Sequence, residues 1–414
     1  MIGVEAIVSA MSYVALALLL GQLVVAGFLL PSGEPVGLRS ALVGGAGISL
    51  FAFLAAAVLA LLIQGAKLQR GFPTAELIWR YVTVAQSGKI WLARELYAVA
   101  LGLGLRFATR SEASASSARW FALLALPLVA SRSFTSHAIA VREDVAIAVC
   151  SDSLHLIASA LWAGGLLALW RALRRETNSS VAWVGKLVRR FSYLALSSVT
   201  VLIVTGVYQS WIHVGSFSTL FSTAYGNVLL IKLALFTAML SYGALNFFST
   251  RNILARALAN RENAQAASAT ALRRIAIESV IGLMIFGATG LLTVLPPGVH
   301  AVHQKAAEAQ AAQPATASEK KYLPAQGASV KIVEPKNGAI VTADRMPLRF
   351  TLHTGKHGDH VHAYIDGELM GMFQSKSGTL NGLKPGRHML ELRVVAADHQ
   401  SELDAYDRVE FTVK

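Results

Sequence analysis

The chain has 414 residues, of which 54% are hydrophobic and 15% are charged, and its mean hydropathy is +0.51. Soluble domains carry roughly 25% charged residues, so this composition excludes an ordinary soluble globular protein and equally a disordered chain. The formal net charge is +13, but residues 328–414 hold 11 basic and 11 acidic side chains, so the excess lies in the hydrophobic part and does not indicate a nucleic-acid partner.

Eight runs of mostly apolar residues are long enough to cross a membrane. They predict an all-α membrane bundle with spans at about 7–31, 42–64, 90–107, 118–134, 147–170, 191–213, 228–249 and 275–296. The third and fourth spans are the weakest, because Arg94 and Glu95 lie inside one and Pro127 lies inside the other. No basic residue precedes the first span, so we interpret it as retained rather than as a cleaved signal.

Basic residues between the spans predict the orientation. The loop at 171–190 holds six basic side chains and the loop at 250–274 holds five, whereas the loop from Gly215 to Gly226 has no charge. The positive-inside rule then places the two basic loops in the cytoplasm and both termini outside it. The loop at 65–89, which this topology places outside, disagrees with the rule because it carries four basic residues.

A weak internal repeat is visible at an offset of 138 residues. The matched pairs are Gly88 with Gly226, Arg94 with Lys232 and Gly27 with Gly165. A true repeat would give two four-span halves of the same orientation, and chance matching is the alternative.

The pattern changes after the membrane domain, which is predicted to cover residues 1–300. Residues 301–327 are rich in Ala, Gln and Pro, as in a flexible linker. Residues 328–414 alternate apolar and polar side chains in short stretches separated by turn residues such as Asp366-Gly367. We predict a small all-β sandwich there, on the extracytoplasmic face where the eighth span emerges.

All eleven histidines lie at or after position 137, and the predicted topology places each of them on or near the outer face. Because the chain has a single cysteine, Cys150, imidazole is its main nitrogen or sulfur ligand besides methionine, and imidazole suits copper, zinc, iron and nickel. The candidates near the membrane are His137, His155, His213, His300 and His303.

Asp152 and His155 form the sharpest group inside a span. Their spacing of three residues places both side chains on one helix face, where they can approach one metal ion or Asp152 can orient the imidazole. Ionisable groups inside a membrane usually face the bundle interior or an aqueous path, and an interfacial pair that anchors the helix end is the alternative. Gly164 and Gly165 are predicted to allow close helix packing.

Two further acids, Glu95 and Glu278, lie inside predicted spans. For each we expect pairing with a neighbouring cation, and a role in transport is the alternative. Met239 and Met284 are expected to contact lipid or core rather than to ligate a soft metal.

A stretch of the predicted sandwich is rich in possible ligands. His360 and His362 alternate on a strand and therefore share a face, with His357 on the adjoining turn. Such a cluster can supply two or three nitrogen ligands for Cu(II), and Met370 and Met372 could serve Cu(I). The alternative is a solvent-facing strand that binds no metal.

Five stretches carry a family resemblance. They are SHA at 136–138, DSLHLIASALWAGGL at 152–166, RFSYLALSSVTVLIVTGVYQSW at 190–211, TAYGNVLLIKLALF at 223–236 and TGLLTVLPP at 289–297. In this order and spacing the chain resembles the copper resistance protein D (CopD-type) membrane family. The resemblance implies an eight-span bacterial inner-membrane protein that handles copper, with His137, Asp152 and His155 as residues of interest.

The chain departs from that family in one respect. Relatives are often paired or fused with a periplasmic copper-binding sandwich of the CopC type ahead of the membrane part, whereas here the sandwich follows it. The sandwich resembles generic periplasmic immunoglobulin-like modules as much as a CopC domain.

The resulting hypothesis is a permease-like importer, not an enzyme, that takes copper ions, Cu(I) or Cu(II), from the periplasmic face through a polar path in spans four to eight. Its expected partners are the lipid bilayer and a periplasmic copper chaperone. No ATP-binding motif of the form GxxxxGK[ST] is present, so hydrolysis by the chain would not drive transport. The alternatives are a membrane-anchored copper delivery protein without transport and a b-type haem redox protein with axial ligands such as His155 and His213.

Overall fold

The computed structural model describes residues 2–69, 71–108, 113–136, 145–175, 180–214, 217, 219–259, 264–297, 322–341, 345–373, 376–381, 383, 385–396 and 401–413. The chain divides into two compact units, Met1–Val302 and His303–Lys414. The first is helical in its described part and the second is built from β-strands, so the fold is the predicted membrane bundle followed by a small sandwich.

The described part of the first unit contains ten α-helical segments. They are α1 (Ile2–Leu29), α2 (Leu38–Gln69), α3 (Ala75–Val84), α4 (Gln86–Ala108), α5 (Ala115–Ala130), α6 (Val145–Arg175), α7 (Val181–Val214), α8 (Thr219–Ser222), α9 (Ala224–Ala259) and α10 (Ala264–Leu292). Among the described residues, six of these helices are long and apolar enough to cross a membrane, namely α1, α2, α6, α7, α9 and α10.

The predicted third and fourth spans coincide with α4 and α5, which do not meet that criterion of length and hydropathy. Helix α4 carries the ion pair of Arg94 and Glu95, and α5 has only 16 residues. The pairing predicted for Glu95 is confirmed, since Arg94 Nε donates to Glu95 Oε1 at 2.7 Å and both side chains are buried. Pairing lowers the cost of burying two charges in the bundle.

Helix α1 lies at the centre of the bundle and packs against α2, α5, α6 and α10. In the most apolar 18-residue stretch of α1, 83% of the residues are buried, as expected for a helix that is hydrophobic on every side. Its closest approach is to α6, where a Cβ on Gly21 would lie 2.2 Å from the carbonyl carbon of Gly164. A Cβ on Gly165 would lie 2.7 Å from the ring of Phe191, so the packing role predicted for the two glycines of α6 is confirmed.

Two of the long helices contain a π-helical turn. One is Val25–Leu29 at the end of α1, and the other is Ala160–Gly164 in the middle of α6. A π turn inserts an extra residue into the helix, and such turns occur often at functional sites.

The basic segment 250–274 was predicted as a loop, and most of it is helical. Helix α9 continues to Ala259 and α10 begins at Ala264. The segment contains no glycine or proline and is rich in Ala, Leu and Arg, which are strong helix formers, so the helices extend beyond their apolar spans.

The second unit has eight strands in its described part. They are β1 (Ser329–Glu334), β2 (Ala339–Val341), β3 (Arg345–His353), β4 (Gly358–Ile365), β5 (Glu368–Phe373), β6 (Ser377–Asn381), β7 (Gly386–Ala396) and β8 (Glu402–Val413). Three strands form one sheet in the order β1-β3-β6, and five form the other in the order β2-β8-β7-β4-β5. On β4 the side chains of Val361, Ala363 and Ile365 enter the core, so those of His360 and His362 lie on the opposite face of the five-stranded sheet.

Candidate functional site

The imidazole of His155 is held by a side chain of the neighbouring helix. His155 Nδ1 lies 2.9 Å from the hydroxyl oxygen of Thr205 on α7. Thr205 donates its own hydroxyl hydrogen to the carbonyl of Val201, at 2.7 Å. The ring nitrogen is therefore the donor, which places the proton of a neutral imidazole on Nδ1 and leaves the lone pair of Nε2 for a metal ion.

Asp152 lies one helical turn before His155 and contacts a different element. Its Oδ2 accepts a hydrogen bond of 2.8 Å from Ser136 Oγ, directly after the 3-10 turn Ser131–Thr135 that follows α5. Lys232, half-buried on α9, interacts electrostatically with both Asp152 and His155. Elements from three other parts of the chain, namely α7, the turn after α5 and α9, thus converge on the N-terminal half of α6.

The other predicted ligands do not join this pair in the described part of the chain. His213 lies eight residues beyond Thr205 on α7, roughly 12 Å along the helix axis. His137, His300 and His303 lie outside the described residues. Among the residues that the structure describes, no three His, Cys, Asp or Glu side chains form a group that could hold a metal ion. The copper ligands of the membrane domain therefore stay a prediction.

A cavity of about 670 Å³ lies between the C-terminal half of α6, the N-terminal half of α7 and the facing parts of α9 and α10. Its walls are mostly apolar, and its charged lining residues are Lys186, Arg189, Arg274 and Glu278. Glu278 is 7% exposed and accepts a hydrogen bond from the side-chain amide of Asn246. A buried carboxylate near the midpoint of α10 thus lines the cavity.

An apolar layer separates this cavity from Asp152 and His155. Trp162, in the π turn of α6, lines the cavity and meets Phe236 edge to face, with ring centroids 5.8 Å apart. Met239 is buried, as predicted, and a Cβ on Gly282 would lie 3.3 Å from the Cβ of Ala163 and 3.6 Å from the methyl group of Met239. The three helices are therefore in close contact at the level of the π turn.

The sandwich brings His360 and His362 together. Their Nε2 atoms lie 3.1 Å apart, and the two residues are 1% and 6% exposed. This contact confirms that the two residues share a face of β4. His357 is exposed on the turn before β4, and the structure does not group it with two other ligands in the described region.

Groups around the pair orient the two rings. His360 Nδ1 lies 3.1 Å from a carboxylate oxygen of Asp359, and His362 Nδ1 lies 3.5 Å from Tyr364 Oη and 4.0 Å from Glu402 Oε1. Tyr364 donates its hydroxyl hydrogen to Glu402. Burial and this hydrogen bond raise the pKa of Tyr364, so its hydroxyl stays protonated.

The sequence predicted Asp152, His155, His360 and His362 as candidate metal ligands, but it did not predict the residues that contact and orient them. Thr205, Ser136 and Lys232 each come from another helix or turn, and no local spacing links them to α6. Only the position of Thr205 and Lys232 inside apolar spans signalled a special role.

Sequence models of two families match this chain. The copper resistance protein D model matches residues 185–292, and the model of the copper resistance protein D-like N-terminal domain matches residues 4–146. The two matches together cover most of the helical unit.

Two curated proteins are similar to the chain. Copper transport protein CutJ of Bacillus subtilis (strain 168) is 37% identical over 169 residues, which are 40% of this chain and 31% of that protein. The match thus spans about a third of the length of CutJ. Copper resistance protein D of Pseudomonas syringae pv. tomato is 28% identical over 235 residues, 55% of this chain and 74% of that protein.

A solved structure of fibronectin(III)-like modules of Clostridium thermocellum CbhA resembles a small part of the chain. It covers 20% of this chain and 95% of that one, with 19% identity and a TM-score of 0.18. A score this low supports no inference about function.

Proposed function

Since the membrane part of this chain belongs to the copper resistance protein D family, we propose that the protein carries copper inward across a bacterial cytoplasmic membrane. The observation that supports this proposal is the arrangement of α6, α7, α9 and α10. These helices place Asp152 and His155 on one side of an apolar layer and a cavity lined by Glu278 on the other.

The first step of the proposed path is capture at the extracytoplasmic side. In the orientation predicted by the positive-inside rule, the N-terminal half of α6 faces outward. His155 would offer Nε2 to copper, because Thr205 occupies its other ring nitrogen. Asp152 would add a carboxylate one turn away and balance the positive charge of both the ion and Lys232.

The second step is passage of the apolar layer. Copper would move past Trp162 and Met239 into the inner cavity, where Glu278 is the acidic group that can receive a cation. The π turn Ala160–Gly164 of α6 lies in this layer, and such turns occur often at functional sites.

The membrane potential supplies a direction for this movement. The free energy of a monovalent cation falls by about 2.3 kcal/mol per 100 mV when it enters a cell whose interior is negative. Import therefore requires no hydrolysis by the chain, which carries no ATP-binding motif. We expect an extracytoplasmic copper chaperone to supply the ion and expect no enzymatic activity.

Copper uptake into proteoliposomes tests the proposal. The purified chain is reconstituted with a copper-sensitive fluorescent chelator inside, and uptake is compared with that of the His155→Ala and Asp152→Asn variants. We expect each variant to lower uptake by at least about tenfold, since loss of a ligand should cost no less than loss of its supporting group. Monodisperse elution of both variants shows that they are folded.

The matched control is Glu5→Gln, which removes a carboxylate at the start of α1 that pairs with Lys67 and lies outside the proposed path. Its uptake should equal that of the wild type. Copper binding without uptake by the wild-type chain would replace the permease with a delivery protein. A Soret band in the purified sample would point to the haem protein instead.

A further inference from the structure

The outward face of β4 carries two buried imidazoles whose Nε2 atoms point at each other at 3.1 Å. Two nitrogens bound to one metal ion at roughly 2.0–2.1 Å lie about 2.9–3.4 Å apart when the angle between them is 90–110°. His360 and His362 thus already have the spacing of two ligands on one ion. His360 and His362 are only 1% and 6% exposed, unlike histidines on a solvent-facing strand, and this burial keeps both rings in place.

The surroundings fix the proton positions that metal binding needs. Asp359 accepts from His360 Nδ1, which leaves the lone pair of His360 Nε2 facing His362. The proton that His362 now shares with His360 can move to its own Nδ1, which faces Tyr364 and Glu402 at 3.5 and 4.0 Å. Both imidazoles then stay neutral, and both Nε2 atoms are available to one ion.

A third ligand comes from the neighbouring strand. Met372 on β5 is the antiparallel partner of His362, and directly paired residues project from the same face of a sheet. Met370, two residues earlier, instead packs against the sandwich core, as Phe373 does. A thioether beside two imidazoles is a soft, uncharged ligand set, which favours Cu(I) over Zn(II) or Cu(II).

The charges around the two histidines also favour Cu(I). Of the two carboxylates near the pair, that of Asp359 accepts from His360 Nδ1, and that of Glu402 already accepts from Tyr364 and lies 3.9 Å from Nε of Arg393. The three proposed ligands are neutral, so a bound ion keeps its whole charge in a buried place. Burying a monovalent ion costs less free energy than burying a divalent one.

We propose that His360, His362 and Met372 form a Cu(I)-binding site on the outward face of the five-stranded sheet. The site relies on the proposed function only for the source of its metal. It would hold copper on the extracytoplasmic side, with an open coordination position through which the ion can be passed on.

Cu(I) binding to the full-length chain in detergent tests the ligand pair. The chain carries Asp152→Asn and His155→Ala, so that the membrane site does not contribute, and it is titrated anaerobically against a chromogenic Cu(I) chelator. We expect the further double change His360→Ala with His362→Ala to remove one equivalent of bound Cu(I). His353→Ala and His357→Ala, which remove exposed imidazoles of the same stretch, are the matched controls and should retain it.

X-ray absorption at the copper edge tests the third ligand. The parent should show one sulfur scatterer, which Met372→Leu should remove and the matched control Met370→Leu should leave. Both substitutions nearly conserve volume, so the sandwich should stay folded, and its thermal transition checks this. Asp359→Asn should weaken Cu(I) binding roughly 10–100-fold through the orientation of His360.

The two proposals fail in different experiments. Unchanged Cu(I) stoichiometry after loss of both histidines would overturn the sandwich site, whatever the transport assay shows. A copper spectrum without sulfur, unaffected by Met372→Leu, would overturn the three-ligand arrangement. Loss of uptake in the His155→Ala variant bears on the membrane path alone.

Discussion

Thr205 sets the orientation of His155, because its hydroxyl is the acceptor for the Nδ1 proton and the residue, on α7, is only 6% exposed. Without that acceptor the imidazole can turn or take the other tautomer, and Nε2 no longer faces a fixed direction. Groups that orient a metal-ligating histidine matter nearly as much as the histidine itself. In the proposed capture of copper by His155, Thr205 is therefore a positioning residue that comes from another helix.

We predict that Thr205→Val raises the copper concentration needed for half-maximal uptake by roughly 10–100-fold, the usual effect of losing such a group. Thr205→Ser, which keeps the hydroxyl, should restore most of the affinity. Thr200→Val is the matched control, since Thr200 lies on the exposed side of α7 and bonds only its own helix, at the carbonyl of Leu196. Equal uptake curves for Thr205→Val and Thr200→Val would show that the hydrogen bond has no role in copper binding.

Residue patterns with a short period were predictable from the sequence. The alternation of His360 and His362 required only the two-residue period of a strand, and the Asp366-Gly367 turn required only residues that tolerate positive φ, here +52° and +85°. The pairing of Met372 with His362 depends on the register between β4 and β5, which no local spacing specifies. Thr205 escaped prediction for the same reason, since helix packing decides which side chains meet.

At the scale of elements, α1 and α6 cross in very close backbone contact. A Cβ on Gly164 would lie 1.9 Å from the carbonyl oxygen of Ala17, a distance that no real pair of these atoms adopts. Because both neighbours are backbone atoms of buried helices, neither can move aside. The crossing lies within the π turn, so the same contact fixes the part of α6 that separates the outer and inner polar groups.

We predict that Gly164→Ala lowers the thermal stability of the purified protein, since overpacking a buried contact costs about 1–3 kcal/mol. The control is Gly47→Ala on α2, where a Cβ would meet nothing within 4 Å and where alanine favours a helix. The midpoint of thermal unfolding in detergent measures both changes. A Gly164→Ala midpoint at or above that of Gly47→Ala would contradict the close approach of α1 and α6.

The apolar runs of the sequence predicted which segments are helices, but they did not predict where each helix begins and ends. Six helices satisfied the length and hydropathy of a span, but α4 and α5 were visible only as weak signals because charge and proline interrupt their apolar runs. The helical extension of α9 to Ala259 lay in a segment whose charge suggested a loop. Charged residues mark where a helix leaves the membrane, but the helix itself can continue beyond that point.

For the whole molecule, the two halves of the helical unit share a local arrangement that the predicted repeat requires. A Cβ on Gly88 would lie 2.1 Å from the carbonyl oxygen of Tyr81 in α3, and one on Gly226 would lie 2.4 Å from that of Leu220 in α8. In each half a short helix thus folds closely onto the start of the next long one. The two short helices lie on the same side of the membrane if the halves have the same orientation.

Ion pairing partly explains why the basic residues of the loop at 65–89 disagree with the predicted topology. Lys67, at the end of α2, pairs with Glu5 at the start of α1, so these two helix ends lie on one face of the membrane and one positive charge is neutralised there. The uncompensated basic segments at 171–190 and 250–274 then dominate the orientation. By this rule we expect α3, α8 and both termini to lie on the extracytoplasmic side.

We predict that alkaline phosphatase fused after Lys414 is active in a bacterial host and that the same enzyme inserted near Asn178 is inactive, because it folds only outside the cytoplasm. Green fluorescent protein at the two positions should give the reverse pattern. An insertion between α3 and α4, after Ala85, should report the outside and directly tests the loop that disagrees with the positive-inside rule. Fluorescence at Lys414 together with phosphatase activity near Asn178 would invert the bundle, place Asp152 and His155 on the cytoplasmic side, and turn the proposed path from import to export.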